Sequence, residues 1–116
     1  MSINFRPIRW INGQWCPSSG ISGVNVTNCN AADILAALGL NPDPYGPAIT
    51  LEVFEAECAT FLRIAAGTEA DVARPESKQG NWTDCGRRAG YLSDRIRALG
   101  ELSKVGLAAG ATHMGT

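Results

Sequence analysis

The fold is decided by the stretch Asn25-Val-Thr-Asn-Cys-Asn-Ala-Ala-Asp-Ile-Leu-Ala-Ala-Leu-Gly39, which contains a strand-to-helix junction with both ends marked. Asn30 is a residue type that caps helices, because its side-chain oxygen can accept from a backbone N–H of the first turn. Gly39 supplies the left-handed residue at which many helices stop. We therefore expect a short strand over 24–27, followed directly by a helix over 31–38.

A β-hairpin is predicted upstream of this junction. Apolar and polar residues alternate from Ile3 to Ile11, which is typical of a strand, and Asn12-Gly13 is the commonest two-residue hairpin turn. Pro7 interrupts the alternation. Because proline has no backbone N–H to give to a neighbouring strand, we expect it at a sheet edge or at a break in the strand.

Two longer helices are predicted downstream. Residues 51–65 carry apolar side chains every three or four positions, which gives one buried face, and Thr50 is placed to cap this helix. A third helix begins near Tyr91. Its apolar stripe consists of Leu92, Ile96, Leu99 and Leu102.

The remaining segments contain turn and loop signals. Prolines and glycine between residues 40 and 50 exclude regular structure there, and residues 68–90 are predicted to form a long loop with at most one short strand around Trp82. Residues 111–114 are placed to add a final strand. Residues 1–116 therefore form a single small α+β domain, in which a mostly antiparallel sheet packs against three helices.

Charge limits the classes of partner. The net charge of −1 and the pI near 5.7 argue against nucleic acid, because a domain that reads DNA is normally strongly basic. The distribution is uneven: residues 1–30 carry two arginines and no acid, whereas residues 31–72 carry seven acids and one arginine. This pattern fits either two binding surfaces of opposite sign or internal charge complementarity within one fold.

The four cysteines are widely spaced and do not form the close pair that a structural zinc site requires, so no metal site and no cofactor are expected. Neither a leader nor a membrane-crossing run is evident in the sequence, which favours a cytoplasmic protein with reduced thiols. His113 is the only histidine. A cysteine and His113 meeting in space would make a catalytic pair, which leaves an enzyme as one alternative; the cysteines are Cys16, Cys29, Cys58 and Cys85.

An anion site is predicted where the third helix begins. Gly86, Arg87 and Arg88 stand just before that helix, whose N-terminal N–H groups favour negative charge. Trp82 and Tyr91 are rings on which a base could stack. The competing interpretation is a glycine-shaped turn, with the arginines in solvent or paired to the carboxylates of Glu52, Glu55 and Glu57.

Two further features stand outside these motifs. Asn28 lies before the predicted cap, is not needed for it, and is therefore included as a ligand-binding candidate at the end of a strand. Trp10 and Trp15 flank the Asn12-Gly13 turn. They either form an exposed aromatic anchor for a protein partner, together with Ile11, or cap the core.

Two blocks of the sequence carry a resemblance, Val24-Asn-Val-Thr-Asn-Cys-Asn-Ala-Ala-Asp-Ile-Leu-Ala-Ala-Leu-Gly-Leu40 and Asp84-Cys-Gly-Arg-Arg-Ala-Gly-Tyr-Leu-Ser-Asp-Arg95, with an acidic amphipathic helix between them. Over roughly residues 24–100 the chain resembles small proteins of unassigned function encoded by bacteriophages and other bacterial mobile elements. The resemblance implies a genomic setting and supplies no catalytic residues.

We therefore expect a non-enzymatic accessory protein of a phage or mobile element, which acts in the bacterial host cytoplasm by binding and inhibiting a host or defence protein. The first alternative is a protein that binds an anionic, nucleotide-like small molecule near residues 86–91. The second is the cysteine- and histidine-dependent enzyme. Neither a membrane nor nucleic acid is an expected partner, and a homo-oligomer is left open.

Overall fold

The computed structural model describes residues 2–65, 77–79, 82–84 and 90–116, and it contains an antiparallel sheet covered on one face by three helices. The helices are α1 (Asn28–Ala37), α2 (Leu51–Ala65) and α3 (Tyr91–Ala108). The strands of the sheet are β1 (Ser2–Ile11), β2 (Gln14–Pro17), β3 (Val24–Thr27), β4 (Ile49–Thr50) and β7 (His113–Gly115). The α+β prediction, with an antiparallel sheet and three helices, is confirmed.

The ten-residue strand β1 organises the sheet. It pairs with β3 through residues 2–5, with β7 through residues 6–8 and with β2 through residues 8–11, always antiparallel. The order along the main path is β2-β1-β7-β4. The final strand thus lies between β1 and β4, and the prediction of a strand near residues 111–114 is confirmed.

The hairpin between β1 and β2 has the predicted two-residue turn. Ile11 pairs with Gln14, and the two turn residues have positive φ angles of 50° at Asn12 and 81° at Gly13. Two positive φ values are what a type I′ turn requires, and this turn matches the right-handed twist of the two strands.

Pro7 does not break its strand, because β1 runs unbroken from Ser2 to Ile11, but the side on which it lacks an N–H lies where the β2 ladder has ended. The Pro7 carbonyl accepts from the Ser18 N–H at 3.1 Å, and the carbonyl of the next residue, Ile8, accepts from Thr112 at 3.0 Å. In a β-strand, the N–H and C=O of one residue point to the same edge, and those of the next residue point to the opposite edge. The N–H that Pro7 lacks would therefore point toward β2, as its carbonyl does. The ladder with β2 ends there, and the absent N–H therefore interrupts nothing.

The N-terminus of α1 differs from the prediction by three residues. Thr27 is the N-cap, and its Oγ1 accepts from the backbone N–H of Asn30 at 3.4 Å. Asn30 lies inside the helix and is only 3% exposed. Both residue types cap helices. Asn30 is not the cap because the helix already begins at Asn28, directly after Thr27.

The predicted stop at Gly39 is confirmed. Gly39 has a φ of 73°, its N–H donates to Ala36 at 3.0 Å, and the Leu40 N–H donates to Leu35 at 2.9 Å. These two bonds form a Schellman motif, which uses two carbonyls that the helix leaves without partners.

The apolar faces predicted for the two longer helices are confirmed. On α2, Leu51, Phe54 and Cys58 are buried, and the whole predicted stripe of α3 is buried as well. The core that they form with the sheet and α1 consists of Ile3, Phe5, Val26, Ala31, Ile34, Leu35, Leu38, Leu51, Phe54, Cys58, Leu92, Ile96, Leu99, Leu102, Ala111 and Met114.

Gly106 brings α3 close to the sheet. A Cβ at this position would lie 2.6 Å and 2.8 Å from two carbons of the Pro7 ring, and 3.1 Å from Leu51 Cδ1. Real Cβ atoms do not approach other carbons so closely, so only glycine fits. Gly100, one and a half turns earlier, has ordinary space: its Cβ would lie 3.5 Å from the Cβ of Cys58.

Two loop predictions need correction. The proline-rich segment after α1 ends in the short strand β4, which pairs with β7 through Ile49 and Thr50. Within residues 68–90, β5 (Ser77–Gln79) and β6 (Trp82–Asp84) form an antiparallel pair where at most one strand was expected. Among the helices that the structure describes, none combines enough length with enough apolar character to cross a membrane.

Candidate functional site

The two faces of the sheet differ in what covers them. Along β1, Ile3, Phe5 and Pro7 point toward the helices and are buried. Strand side chains alternate, and directly paired residues share a face. The opposite face, called the outer face below, is formed by Arg6, Ile8, Trp10, Trp15, Pro17 and His113.

Three rings of the outer face are in contact. Trp10 and Trp15 form a cross-strand pair with ring centroids 5.1 Å apart and an interplanar angle of 81°, which is the edge-to-face arrangement that aromatic rings favour. The His113 ring lies 4.8 Å from Trp15 on the other side. Trp10 is 58% exposed and Trp15 43% exposed. The tryptophans therefore do not cap the core, and the rings form a preassembled apolar surface in solvent.

Ile8 forms the base of this surface. It is only 7% exposed although it points away from the helices. Its Cδ1 atom lies 2.5 Å from where a Cβ of Gly115 would be, so the glycine on β7 leaves the space that Ile8 fills. The outer face therefore has a buried isoleucine at its base, whereas its tryptophan rings remain exposed to solvent.

A groove of about 370 Å³ runs beside the rings. Strand residues form one wall, and the segment that follows α1 forms the other, with Tyr45 at its rim. Tyr45 is 64% exposed. The groove is lined by Arg6, Ile8, Trp15, Pro17, Tyr45, Gly46, Pro47, Ala48 and Thr116.

The loop wall of the groove is held by hydrogen bonds. Asn28 Nδ2 donates to the Tyr45 hydroxyl at 3.1 Å, and the Tyr45 N–H donates to Asp43 Oδ1 at 2.9 Å. Thr116 Oγ1 donates to the Pro44 carbonyl at 2.7 Å. Asn28, predicted as a ligand-binding residue, thus positions Tyr45. Its Oδ1 atom is buried without a hydrogen-bond partner.

Among the side chains that line the groove, only that of Arg6 is charged. Arg6 is exposed and makes no ion pair with any residue that the structure describes, and no carboxylate side chain belongs to the groove lining. Asp43 is the acid on the same loop, and it accepts from the Tyr45 backbone. The groove therefore combines apolar walls with one guanidinium that has no ion-pair partner among the described residues.

The predicted anion site cannot be built from the described residues. Gly86, Arg87 and Arg88 lie outside them, and Trp82 is described only as part of β6. Tyr91 is the first residue of α3, where the guanidinium carbon of Arg95 lies 5.6 Å from the centre of its ring. The anion site stays a prediction.

Three acids of the acidic middle of the chain lie on α2, namely Glu52, Glu55 and Glu57. None of the three makes an ion pair with another described residue, and Glu55 lies beside α3. The ion pairs of α3 are internal and exposed: Arg97 with Asp94 at 3.6 Å and Lys104 with Glu101 at 3.5 Å. Exposed pairs of this kind contribute little to stability. No ion pair therefore joins these two helices in the described part of the chain, although Glu55 lines the same cavity as Arg97 and Lys104.

The thiols that the structure describes do not form a pair with His113. Burial, followed by the nearby charges of Glu55 and Glu57, raises the pKa of the Cys58 thiol to about 12, which keeps it protonated. The Cys29 Sγ atom lies 3.4 Å from Thr27 Oγ1.

Cys16 pairs with Arg9 in the ladder between β1 and β2, so it lies on the sheet face opposite to His113. Cys85 is outside the described residues. Nowhere in the described ranges do three or more His, Cys, Asp or Glu side chains gather as a metal site would need.

Sequence reasoning found part of the outer face and missed the rest. Trp10 and Trp15 were predicted as an interface pair, and the turn with its alternation is the signal that brings them together. Arg6 follows from the same alternation, because it shares a face with Trp10. Tyr45 and His113 come from distant segments, and no local pattern marks them. Comparison with family models, curated proteins and solved structures found no match, so the function of this chain must be inferred from its own geometry.

Proposed function

We propose that this chain is a non-enzymatic binding protein that engages a protein partner through the outer face, with Trp10 and Trp15 as its anchors. The observation that supports this most strongly is the exposed ring cluster in which Trp15 contacts both Trp10 and His113. Tryptophan is enriched among the residues that dominate binding energy at interfaces. A partner that covers about 100 Å² of apolar surface on each ring gains about 2.5 kcal/mol from each.

The groups that the enzyme alternative would use have other surroundings in the described part of the chain. The Cys58 thiol is buried with a raised pKa, and a thiol must lose its proton to act as a nucleophile. His113 packs against Trp15, and its Nδ1 atom lies 2.8 Å from Thr112 Oγ1.

The nature of the partner is proposed from the resemblance to phage and mobile-element proteins. In that genomic setting, the proposed partner is a host or defence protein whose activity falls when the outer face covers it. Cytoplasmic action in a bacterial host follows from the same proposal.

The test is affinity capture from bacterial lysate, followed by binding and activity measurements with the purified partner. We expect wild type to capture one protein that Trp10→Ala and Trp15→Ala do not. Ile64→Ala is the matched control, because Ile64 is 66% exposed on α2 and lies away from the sheet. Capture that survives in both tryptophan variants, or a captured protein whose activity does not fall, contradicts the proposal.

A further inference from the structure

We infer that the groove beside the aromatic anchors binds an acidic, extended segment of the protein partner. In this arrangement a carboxylate of the segment meets Arg6, and an apolar side chain lies against Trp15 and Tyr45. The inference rests on the proposed function, because Trp15 belongs both to the anchor pair and to the groove.

The groove is ready to bind because both of its walls are fixed. One wall is the hairpin, and the other is a loop that carries Pro44 and Pro47 and is tied down through Asn28 and Asp43. A wall already held in place loses little conformational entropy when a ligand binds, so most of the contact energy is available for affinity.

The charge of the groove selects an anionic occupant. Arg6 supplies five N–H donors in a planar fork that matches a carboxylate, and no described acidic residue lines the groove to neutralise it. A cationic segment would repel Arg6, and a neutral segment would offer it only uncharged acceptors, whose hydrogen bonds are weaker than those to a carboxylate.

The dimensions and the sheet edge favour side-chain contacts from an extended segment. A volume of about 370 Å³ corresponds to roughly a dozen water molecules, which is room for two or three side chains rather than for a folded element. Strand addition at β2 is disfavoured because the edge is four residues long and ends in Pro17, which has no N–H to donate.

The probe is a displayed library of random twelve-residue peptides, from which the peptide most enriched on wild type is synthesised for titration. Wild type is expected to enrich peptides with Asp or Glu at a fixed distance from an apolar residue. Arg6→Gln should weaken the synthesised peptide about tenfold or more, because a charge-assisted hydrogen bond is lost. Added salt should weaken it in wild type more than in Arg6→Gln.

Arg9→Gln is the matched control for charge and strand position. Arg9 lies on the same strand, is exposed, and lines a different cavity at the C-terminal end of α3. We expect its peptide affinity to stay within about twofold of wild type, which is within the usual effect of a distant surface charge. Equal losses in Arg6→Gln and Arg9→Gln would show a nonspecific charge effect and overturn the inference.

Other outcomes separate the inference from the proposed function. Enriched peptides without an acid, no enrichment at all, or displacement of the peptide by free N-acetylaspartate at equal concentration would each overturn the inference. Trp10 does not line the groove. If the captured partner still requires Trp10 while peptide binding ignores Arg6, the groove inference fails and the proposed function stands.

Discussion

The two faces of the sheet differ in how far their aromatic side chains are buried. On the inner face, Phe5 is 2% exposed and packs against Phe54 with ring centroids 6.1 Å apart. On the outer face, Trp10 and Trp15 pair at 5.1 Å and remain about half exposed. Folding therefore accounts for the aromatic residues of one face and leaves those of the other without a structural reason. The second set is where function should be sought.

The largest difference in stability should appear between two variants, one that loses an aromatic side chain from the inner side of the sheet and one that loses an aromatic side chain from the outer face. Phe54→Ala should lower the free energy of unfolding by about 3–5 kcal/mol, because it leaves a cavity in the core. Trp10→Ala should lower it by about 1 kcal/mol, the value of one exposed edge-to-face pair. Urea denaturation followed by circular dichroism measures both. Similar losses for the two variants would break the distinction between the faces.

The next effect concerns two glycines of one helix. Gly106→Ala forces a methyl group into the Pro7 ring and should cost about 1–3 kcal/mol, as overpacked cores do. Gly100→Ala has room and should gain up to about 1 kcal/mol from better helix propensity. Thermal unfolding of the two variants gives the signs. A loss in both would show that the inner face is packed more tightly beside Cys58 than the structure indicates.

A smaller effect is expected from Gly115→Ala on the outer face. The new methyl group meets the terminal carbon of Ile8, which can rotate away, so the loss should be about 1 kcal/mol or less. The displaced side chain must enter the groove, and peptide binding should fall more than stability does. Tm and peptide titration check the two parts. A stability loss as large as that of Gly106→Ala would mean that the outer face is packed like a core.

The prediction with the smallest effect on stability at neutral pH concerns the titration of the Cys58 thiol. Its pKa is raised from 9.0 to about 12 in the folded chain, so between these values the folded state keeps a proton that the unfolded state has released. Stability should therefore fall as the pH rises above 9, and Cys58→Ala should remove that part of the pH dependence.

Thiol labelling at pH 8 provides the direct measurement for the same residue. Cys58 is buried and should react far more slowly than Cys16, which is half-buried in the hairpin. Cys16→Ser identifies the fast phase. Fast labelling that is lost only in Cys58→Ala would show that the inner face opens readily.

Local patterns predicted most of the fold. The Asn12-Gly13 turn, the stop at Gly39 and the apolar faces of the longer helices depend on neighbours within a few residues, and all are confirmed. The errors lie where distant segments decide. Pro7 stays inside a strand because the β2 ladder ends beside it, and Thr27 rather than Asn30 is the cap because β3 passes directly into α1.

The candidate site was less predictable for the same reason. The pairing of Trp10 with Trp15 follows from the turn and from the two-residue period of a strand. The groove also needs Tyr45, which arrives on the loop after α1, and the ring cluster needs His113 from the last strand. Such contacts depend on the tertiary arrangement, and one sequence does not reveal them.

The position of β7 also sets an order of events during folding. Residues 113–115 lie between β1 and β4, so these two strands cannot be joined in one sheet until the chain has been synthesised through Gly115. Joining segments so far apart in sequence carries a loop-closure cost, which makes this step slow relative to the local hairpin and helices. The contact of His113 with Trp15 forms in the same step. A nascent chain on the ribosome therefore lacks the complete outer face until β7 emerges.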